Sequence, residues 1–133
     1  MRNYISKILL LCLVFGVEIT AAQTLTFCKS VSKDGEALGA AQTFTVPKNG
    51  GTVVFHLQYP SSKPVTSTSF DIYRIEAGKE IFNSTIKQSA EPSKNWLSKE
   101  VIIYESGVYR VYVYDQQDQL VLKSKFTVRV AAK

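Results

Sequence analysis

Apolar and polar residues alternate with a period of two over most of the chain after residue 23. This is the pattern of β-strands that bury one face, and no stretch there shows the spacing of an amphipathic helix. Clusters of Gly, Pro, Asn and Asp separate the alternating runs, as tight turns require. The pattern predicts eight strands, at residues 24–31, 42–46, 52–59, 69–77, 80–86, 99–104, 108–114 and 120–130.

Seven or eight short strands with turns at this spacing predict an all-β fold, a two-layer antiparallel sandwich. Residues 91–95 form the one longer connection between strands. The chain shows no internal repeat and no linker composition. Residues 23–133 are therefore predicted to form a single domain, which is an ordinary size for one hydrophobic core.

The segment YESGVYRV, residues 104–111, resembles the E–F corner of immunoglobulin-like domains. The resemblance implies that Tyr109 points inward and that its hydroxyl bonds back to the corner backbone. It also implies that Val111 and Phe55 occupy the positions of the disulfide cysteines of that family. It extends to the wider immunoglobulin-like and fibronectin-III-like sandwich superfamily, including bacterial exported modules, and identifies no specific family.

The strand phases that follow from this corner define a core between the two sheets. The resemblance implies that Phe70 and Ile72 take the place of the strand C tryptophan that antibody-type domains carry. The residues expected to be buried together are Tyr109, Val111, Phe55, Leu57, Ile72, Ile103 and Phe126.

Residues 1–22 have the composition of a cleavable signal peptide. Arg2 and Lys7 give a positive start, an apolar run follows over residues 8–17, and small residues end the segment. Thr20 and Ala22 suit the −3 and −1 positions of signal peptidase. We expect cleavage after Ala22 and export of the mature chain to the periplasm or the extracellular medium.

Two alternatives for this segment are a membrane anchor and a lipoprotein signal. The apolar run is about half of the roughly 20 residues that an anchor needs to span a bilayer. Leu11 precedes Cys12, whereas lipoprotein processing requires a small residue there. We therefore expect a mature chain without a membrane span or a lipid.

The chain is mildly basic, with a formal net charge of +5, and its charges are spread along the sequence. Nucleic-acid binding would need a clustered basic stripe, so this class of partner is not expected. Cys28 is the one cysteine after residue 22. We expect it to be buried and inert; pairing with another chain is the alternative.

No combination of residues in the sequence predicts an enzyme or a cofactor site. His56 is the one histidine, and strand alternation places it on the exposed side of its strand, opposite Phe55 and Leu57. Without a second histidine it makes no zinc site. Asp115 and Asp118 are too few for calcium, which takes six to eight oxygen ligands. We expect no catalytic residues, no metal and no cofactor.

One outer sheet face gathers aromatic and basic residues. Tyrosine and arginine are favoured at interfaces because they bury a large area and keep polar tips. The alternative is ordinary sheet chemistry, since tyrosine favours strands and edge lysines discourage aggregation. The candidate partner-binding residues are Tyr73, Arg110, Tyr112, Tyr114, Lys123 and Lys125.

These observations favour an exported, non-enzymatic module that binds a protein or an anionic glycan through this face, as a monomer or weak homo-oligomer. The alternative is a structural subunit of an envelope or extracellular assembly that associates through an edge strand. A small hydrolase is a third and more remote hypothesis.

Overall fold

The computed structural model describes residues 23–60 and 65–132, and ten strands and no helix lie within these ranges. The predicted signal peptide lies outside the described residues, so its cleavage stays a prediction. The strands are β1 (Thr24–Cys28), β2 (Ser30–Val31), β3 (Ala37–Leu38), β4 (Thr43–Val46), β5 (Gly51–Gln58), β6 (Ser67–Glu76), β7 (Lys79–Ser89), β8 (Trp96–Ile103), β9 (Gly107–Tyr114) and β10 (Leu120–Val130).

Eight of these strands form two sheets that pack as a sandwich. The five-stranded sheet has the order β4-β10-β9-β6-β7, and the three-stranded sheet has the order β1-β5-β8. Neighbouring strands are antiparallel, except that β4 runs parallel to β10. The predicted immunoglobulin-like sandwich is confirmed, with this one parallel pair inside it.

The core lies between the sheets and is rich in aromatic rings. All seven predicted core residues are buried, with exposed fractions of 4% or less. Phe126 lies among the other rings, with centroids 4.7 Å from Phe27, 5.3 Å from Tyr109 and 5.7 Å from Phe55. Every second side chain of β9 and β10 thus points into the core between the sheets, as the sequence pattern predicts.

The turn before β9 has the geometry that the immunoglobulin-like resemblance implies. The Tyr109 hydroxyl donates a hydrogen bond to the Glu105 carbonyl over 2.7 Å. Gly107 has a φ of +147°, which favours glycine. Arg74, which pairs with Tyr109 across the sheet, also holds the corner, since its Nε and Nη2 donate to the Ser106 carbonyl over 3.1 and 2.9 Å.

The first predicted strand, residues 24–31, is interrupted at Lys29. Its backbone N–H donates to the Leu38 carbonyl, and the chain enters a small β2–β3 hairpin. This hairpin lies over the outer face of the three-stranded sheet, where it covers Cys28 and His56. His56 is 5% exposed, so the prediction of an exposed histidine is wrong. The alternation correctly predicted that His56 points away from the core. It did not predict the β2–β3 hairpin, which covers that side of the sheet.

The start of β10 also departs from the prediction. The alternation of Leu122, Phe126 and Val128 predicts that Leu120 points inward as well, but it is 53% exposed. The pairing with β9 shifts between Leu120 and Leu122, which leaves Val121 as an extra residue. A bulge of this kind reverses the side on which the preceding residue lies. Leu120 therefore pairs with Tyr114 outside the core.

Candidate functional site

The outer face of the five-stranded sheet carries all six residues of the predicted binding set. Across the ladder Tyr73 pairs with Arg110, which in turn pairs with Lys125. Two residues further along β9, Tyr112 pairs with Lys123. We call this surface the tyrosine face and define it by Tyr73, Arg110, Tyr112, Tyr114, Lys123 and Lys125. Its role in binding stays a prediction.

Three aromatic rings cross this face from strand to strand, and we call them the aromatic ladder. The Phe82 ring on β7 lies 5.6 Å from the Tyr73 ring on β6, at an interplanar angle of 76°. Tyr73 lies 5.4 Å from Tyr112 on β9, at 83°. These are edge-to-face contacts, a favourable arrangement for aromatic pairs. Phe82 is 58% exposed, so the ladder ends in an open apolar surface.

Sequence reasoning missed Phe82 and its neighbour Glu80 as members of this face. Ile86 pairs with the buried Phe70, and simple alternation from Ile86 directs residues 80 and 82 inward. The structure contains a bulge at Asn83, between the pairs that Ile72 and Tyr73 make with β7. The extra residue reverses the alternation, and only the pairing register reveals it.

A single carboxylate organises the polar tips of the face. Oε2 of Glu80 accepts a hydrogen bond from the Tyr112 hydroxyl and one from Nη1 of Arg110, each over 2.6 Å. Both hydrogen bonds lower the pKa of Glu80, and the bond from Tyr112 has a larger effect than the bond from Arg110. The same contacts raise the pKa of Arg110 and of Tyr112. Glu80 is therefore ionised and Tyr112 neutral at physiological pH.

The positive charge of the face is unevenly compensated. Glu80 neutralises Arg110 within the sheet. Lys123 and Lys125 are exposed on β10 and form no ion pair with any residue that the structure describes. The uncompensated charge thus lies along β10, beside the aromatic ladder and not within it.

His56 has a structural environment of its own beneath the β2–β3 hairpin. Its Nε2 lies 2.7 Å from the Gly35 carbonyl, which can only accept, so Nε2 carries the proton and donates. The ring stacks on Trp96, with centroids 5.7 Å apart and planes at 18°. Nζ of Lys94 lies 4.6 Å from the centre of the same indole. This nitrogen of His56 is engaged in holding the hairpin.

Cys28 is buried on the same side of the three-stranded sheet, with an exposed fraction of 0%. Its Sγ lies 3.7 Å from the Val54 carbonyl. Burial raises the pKa of the thiol, which keeps it protonated and slow to react.

A cavity of about 530 Å³ lies at one end of the sandwich, where Pro60 and Val65 face Glu91 and Lys94. Tyr59 also lines it, but its hydroxyl is buried and has no hydrogen-bond partner among the described residues. Burial, followed by the charge of Glu91, raises the pKa of this hydroxyl.

Within residues 23–60 and 65–132, no three His, Cys, Asp or Glu side chains lie together as a metal site would require. In the same ranges no helix is long and apolar enough to cross a membrane.

No protein-family model matches the chain, and no curated protein matches it in sequence. Among solved structures it is similar to a CARDB domain from Pyrococcus furiosus in complex with di-metal ions. That comparison gives 16% identity and a TM-score of 0.48, over 85% of this chain and 97% of that one. A superoxide reductase (neelaredoxin) from Ignicoccus hospitalis gives 10% identity and a TM-score of 0.48, over 86% of each chain.

A Niemann-Pick type C2 protein from the Japanese carpenter ant gives 10% identity and a TM-score of 0.47, over 65% of this chain and 79% of that one. These proteins differ in function, and at such scores none of them bears on the activity of this chain. The chain is an immunoglobulin-like β-sandwich by its own sheet order and corner geometry.

Proposed function

We propose that this chain is an exported, non-enzymatic module that binds a partner protein through the tyrosine face. The observation that carries the proposal is the aromatic ladder, in which the half-buried Tyr73 and Tyr112 lead to a Phe82 that is 58% exposed. Aromatic side chains next to ordered polar groups are what protein interfaces concentrate at their centres. Cross-strand packing explains why Tyr73 and Tyr112 are in contact, but it does not explain why the Phe82 side chain is exposed to solvent.

A protein suits the ladder better than an anionic glycan. Neighbouring rings stand at 76° and 83° to each other, so they do not form one continuous flat platform for sugar rings. The rings thus present edges as well as faces, which suits contact with the side chains of a partner protein. The uncompensated lysines on β10 favour an acidic partner surface and act mainly on the rate of association.

The non-enzymatic part of the proposal is supported by the state of His56. It is the single histidine of the chain, and it is buried with Nε2 bonded to Gly35. Export is supported by the composition of residues 1–22. Of the edges through which a structural subunit could associate, β7 is disfavoured, because the bulge at Asn83 interrupts it and Lys79 and Lys87 flank the bulge.

The test is partner capture by matched variants. The mature domain is used to capture proteins from the envelope and medium of the source organism. The Kd of each captured protein is then measured for the wild-type domain and for Tyr73→Ala/Tyr112→Ala. We expect a loss of about 2 kcal/mol or more, roughly 30-fold in Kd, because the change removes the centre of the ladder. Tyr104→Ala is the control, since Tyr104 is 63% exposed and lies outside the face.

A partner that binds Tyr73→Ala/Tyr112→Ala as tightly as it binds the control Tyr104→Ala would contradict the proposal. Capture of a glycan and of no protein would show that the partner is a glycan, and the proposal of a protein partner would be wrong. The charge contribution is measured separately with Lys123→Glu, which should slow association at low salt and have less effect at high salt. Lys48→Glu makes the same charge change in an exposed turn away from the face.

A further inference from the structure

Strand β10 extends well beyond the neighbour that covers its edge. β4 pairs only with the segment from Thr127 to Val130, whereas β10 begins at Leu120. The last bond of this ladder joins the Thr127 N–H to the Gln42 carbonyl over 2.8 Å. Before Gln42 the chain turns away, because the Ala41 N–H donates to the Phe27 carbonyl on β1. The first half of β10 is therefore an open edge.

The backbone groups on this open edge follow from the ladder. Thr127 directs its N–H towards β4, and residues two apart on a strand direct their N–H and C=O groups to the same side. Lys125 and Lys123 therefore direct theirs towards the position that β4 leaves vacant. No hydrogen bond joins these groups to the described part of the chain on that side.

An apolar seam opens beside the same edge. A cavity of about 300 Å³ runs between β1 and β10 and is lined by Leu25, Phe27 and Ser124, among others. Leu25 and Leu122 are only partly buried at the margin of the core. A strand added next to β10 would direct every second side chain into this seam, where it would cover Leu25.

The charges beside the edge select the occupant. Lys123 and Lys125 project from the outer face and have no ion-pair partner among the described residues. A second copy of the chain, paired antiparallel about a two-fold axis at either lysine, would place that lysine opposite its own copy. Like charges directly opposite each other destabilise a strand pair. A segment with acidic residues at these positions fits instead.

We propose that the open edge of β10 is a strand-addition site for an extended segment of another protein that alternates acidic and apolar residues. Its acidic side chains lie over Lys123 and Lys125, and its apolar side chains enter the seam. The free edge spans about five residues, or roughly 17 Å at 3.3 Å per residue. Backbone hydrogen bonds give such a complex its affinity, and alternate side chains give it specificity. This site shares Lys123 and Lys125 with the tyrosine face, but it does not use the aromatic ladder.

The test uses a capped, fluorescein-labelled heptapeptide of alternating glutamate and valine, with alternating lysine and valine as the control. Binding to the mature domain is measured by fluorescence anisotropy. We expect the acidic peptide to bind at least about tenfold more tightly than the basic one. Lys123→Glu/Lys125→Glu should reverse this preference, which a merely unfolded variant could not do. Tyr73→Ala/Tyr112→Ala should bind the acidic peptide like the wild type.

Two N-methylated versions of the acidic peptide test the backbone contribution. An antiparallel strand meets β10 with the glutamate amides, and a parallel strand meets it with the valine amides. Methylation of one set should therefore weaken binding about tenfold or more, while methylation of the other set is tolerated. The inference is overturned if neither set matters, or if the unmodified acidic peptide does not bind at concentrations up to about 1 mM. Because the tyrosine variant serves as a control, either failure leaves the proposed function standing.

Discussion

Gly35 is the point at which the β2–β3 hairpin touches the three-stranded sheet, and Gly35→Ala tests how firmly it is held. The φ of Gly35 is +91°, and a Cβ built there would lie 2.3 Å from Nε1 of Trp96. Atoms in ordinary contact are about 3.5–4.0 Å apart, so the indole or the hairpin has to move by roughly 1 Å or more. We expect this movement to break the hydrogen bond from His56 to the Gly35 carbonyl.

The expected magnitude has two parts. A left-handed backbone costs an alanine roughly 1–2 kcal/mol relative to glycine. A buried polar group left without its partner adds roughly 1–3 kcal/mol. Gly35→Ala should therefore lower the free energy of unfolding by about 2–5 kcal/mol. This is a large part of the roughly 5–15 kcal/mol that holds a small domain together.

The chain offers a matched control in Gly78, whose φ is +81° and whose added Cβ would meet nothing within 4 Å. Gly78→Ala should lose only the backbone part, about 1–2 kcal/mol. Both variants are unfolded in urea and followed by the fluorescence of Trp96, the single tryptophan. Native Gly35→Ala should also emit at longer wavelength, because its indole becomes more exposed. Equal losses in the two variants, with unchanged emission, would refute the reasoning.

Three further predictions concern the core, the face and the N-terminus. Val111→Asp should abolish folding, since an unpaired charge in the core costs several kcal/mol; a cooperative melting transition would contradict the strand phase. The lowered pKa of Glu80 means that its contribution to stability is present above the unfolded pKa and is lost as the pH falls through the folded one. NMR titration should show the Glu80 midpoint below the ordinary glutamate range, and Tyr112→Phe should raise it; an unchanged midpoint would show that the hydroxyl contributes nothing. Sequencing of the exported protein should give Gln23 as the first residue, and retention of Met1 would defeat the signal-peptide prediction.

The tyrosine face illustrates how far strand alternation reaches. Tyr73, Tyr112 and Lys123 lie on one surface because each belongs to a regular stretch of its strand, whose inward phase is fixed by a neighbouring core residue. Phe82 and Glu80 could not be placed in the same way. Their strand contains an extra residue at Asn83, and a bulge is a property of how two strands pair.

The open edge of β10 was equally out of reach. Its existence depends on where β4 stops pairing, at Thr127, and on the turn that sends Ala41 to β1 instead. Neither follows from the residues of β10, whose alternation continues unbroken from Leu122 to Val130. The length of a neighbouring strand is set by the path of the chain between the two sheets.

The sequence by itself determined the class of fold, the strands of both sheets and the inward phase that buries Val111 and Phe126. A period of two is a local property, and the corner at Tyr109 adds a local hydrogen bond that fixes the phase of β9. The tertiary structure alone decided what covers each outer face. His56 points away from the core as alternation requires, yet it is buried, because the β2–β3 hairpin folds back over it. Alternation states the direction of a side chain, whereas burial depends on whatever segment packs there from elsewhere in the chain.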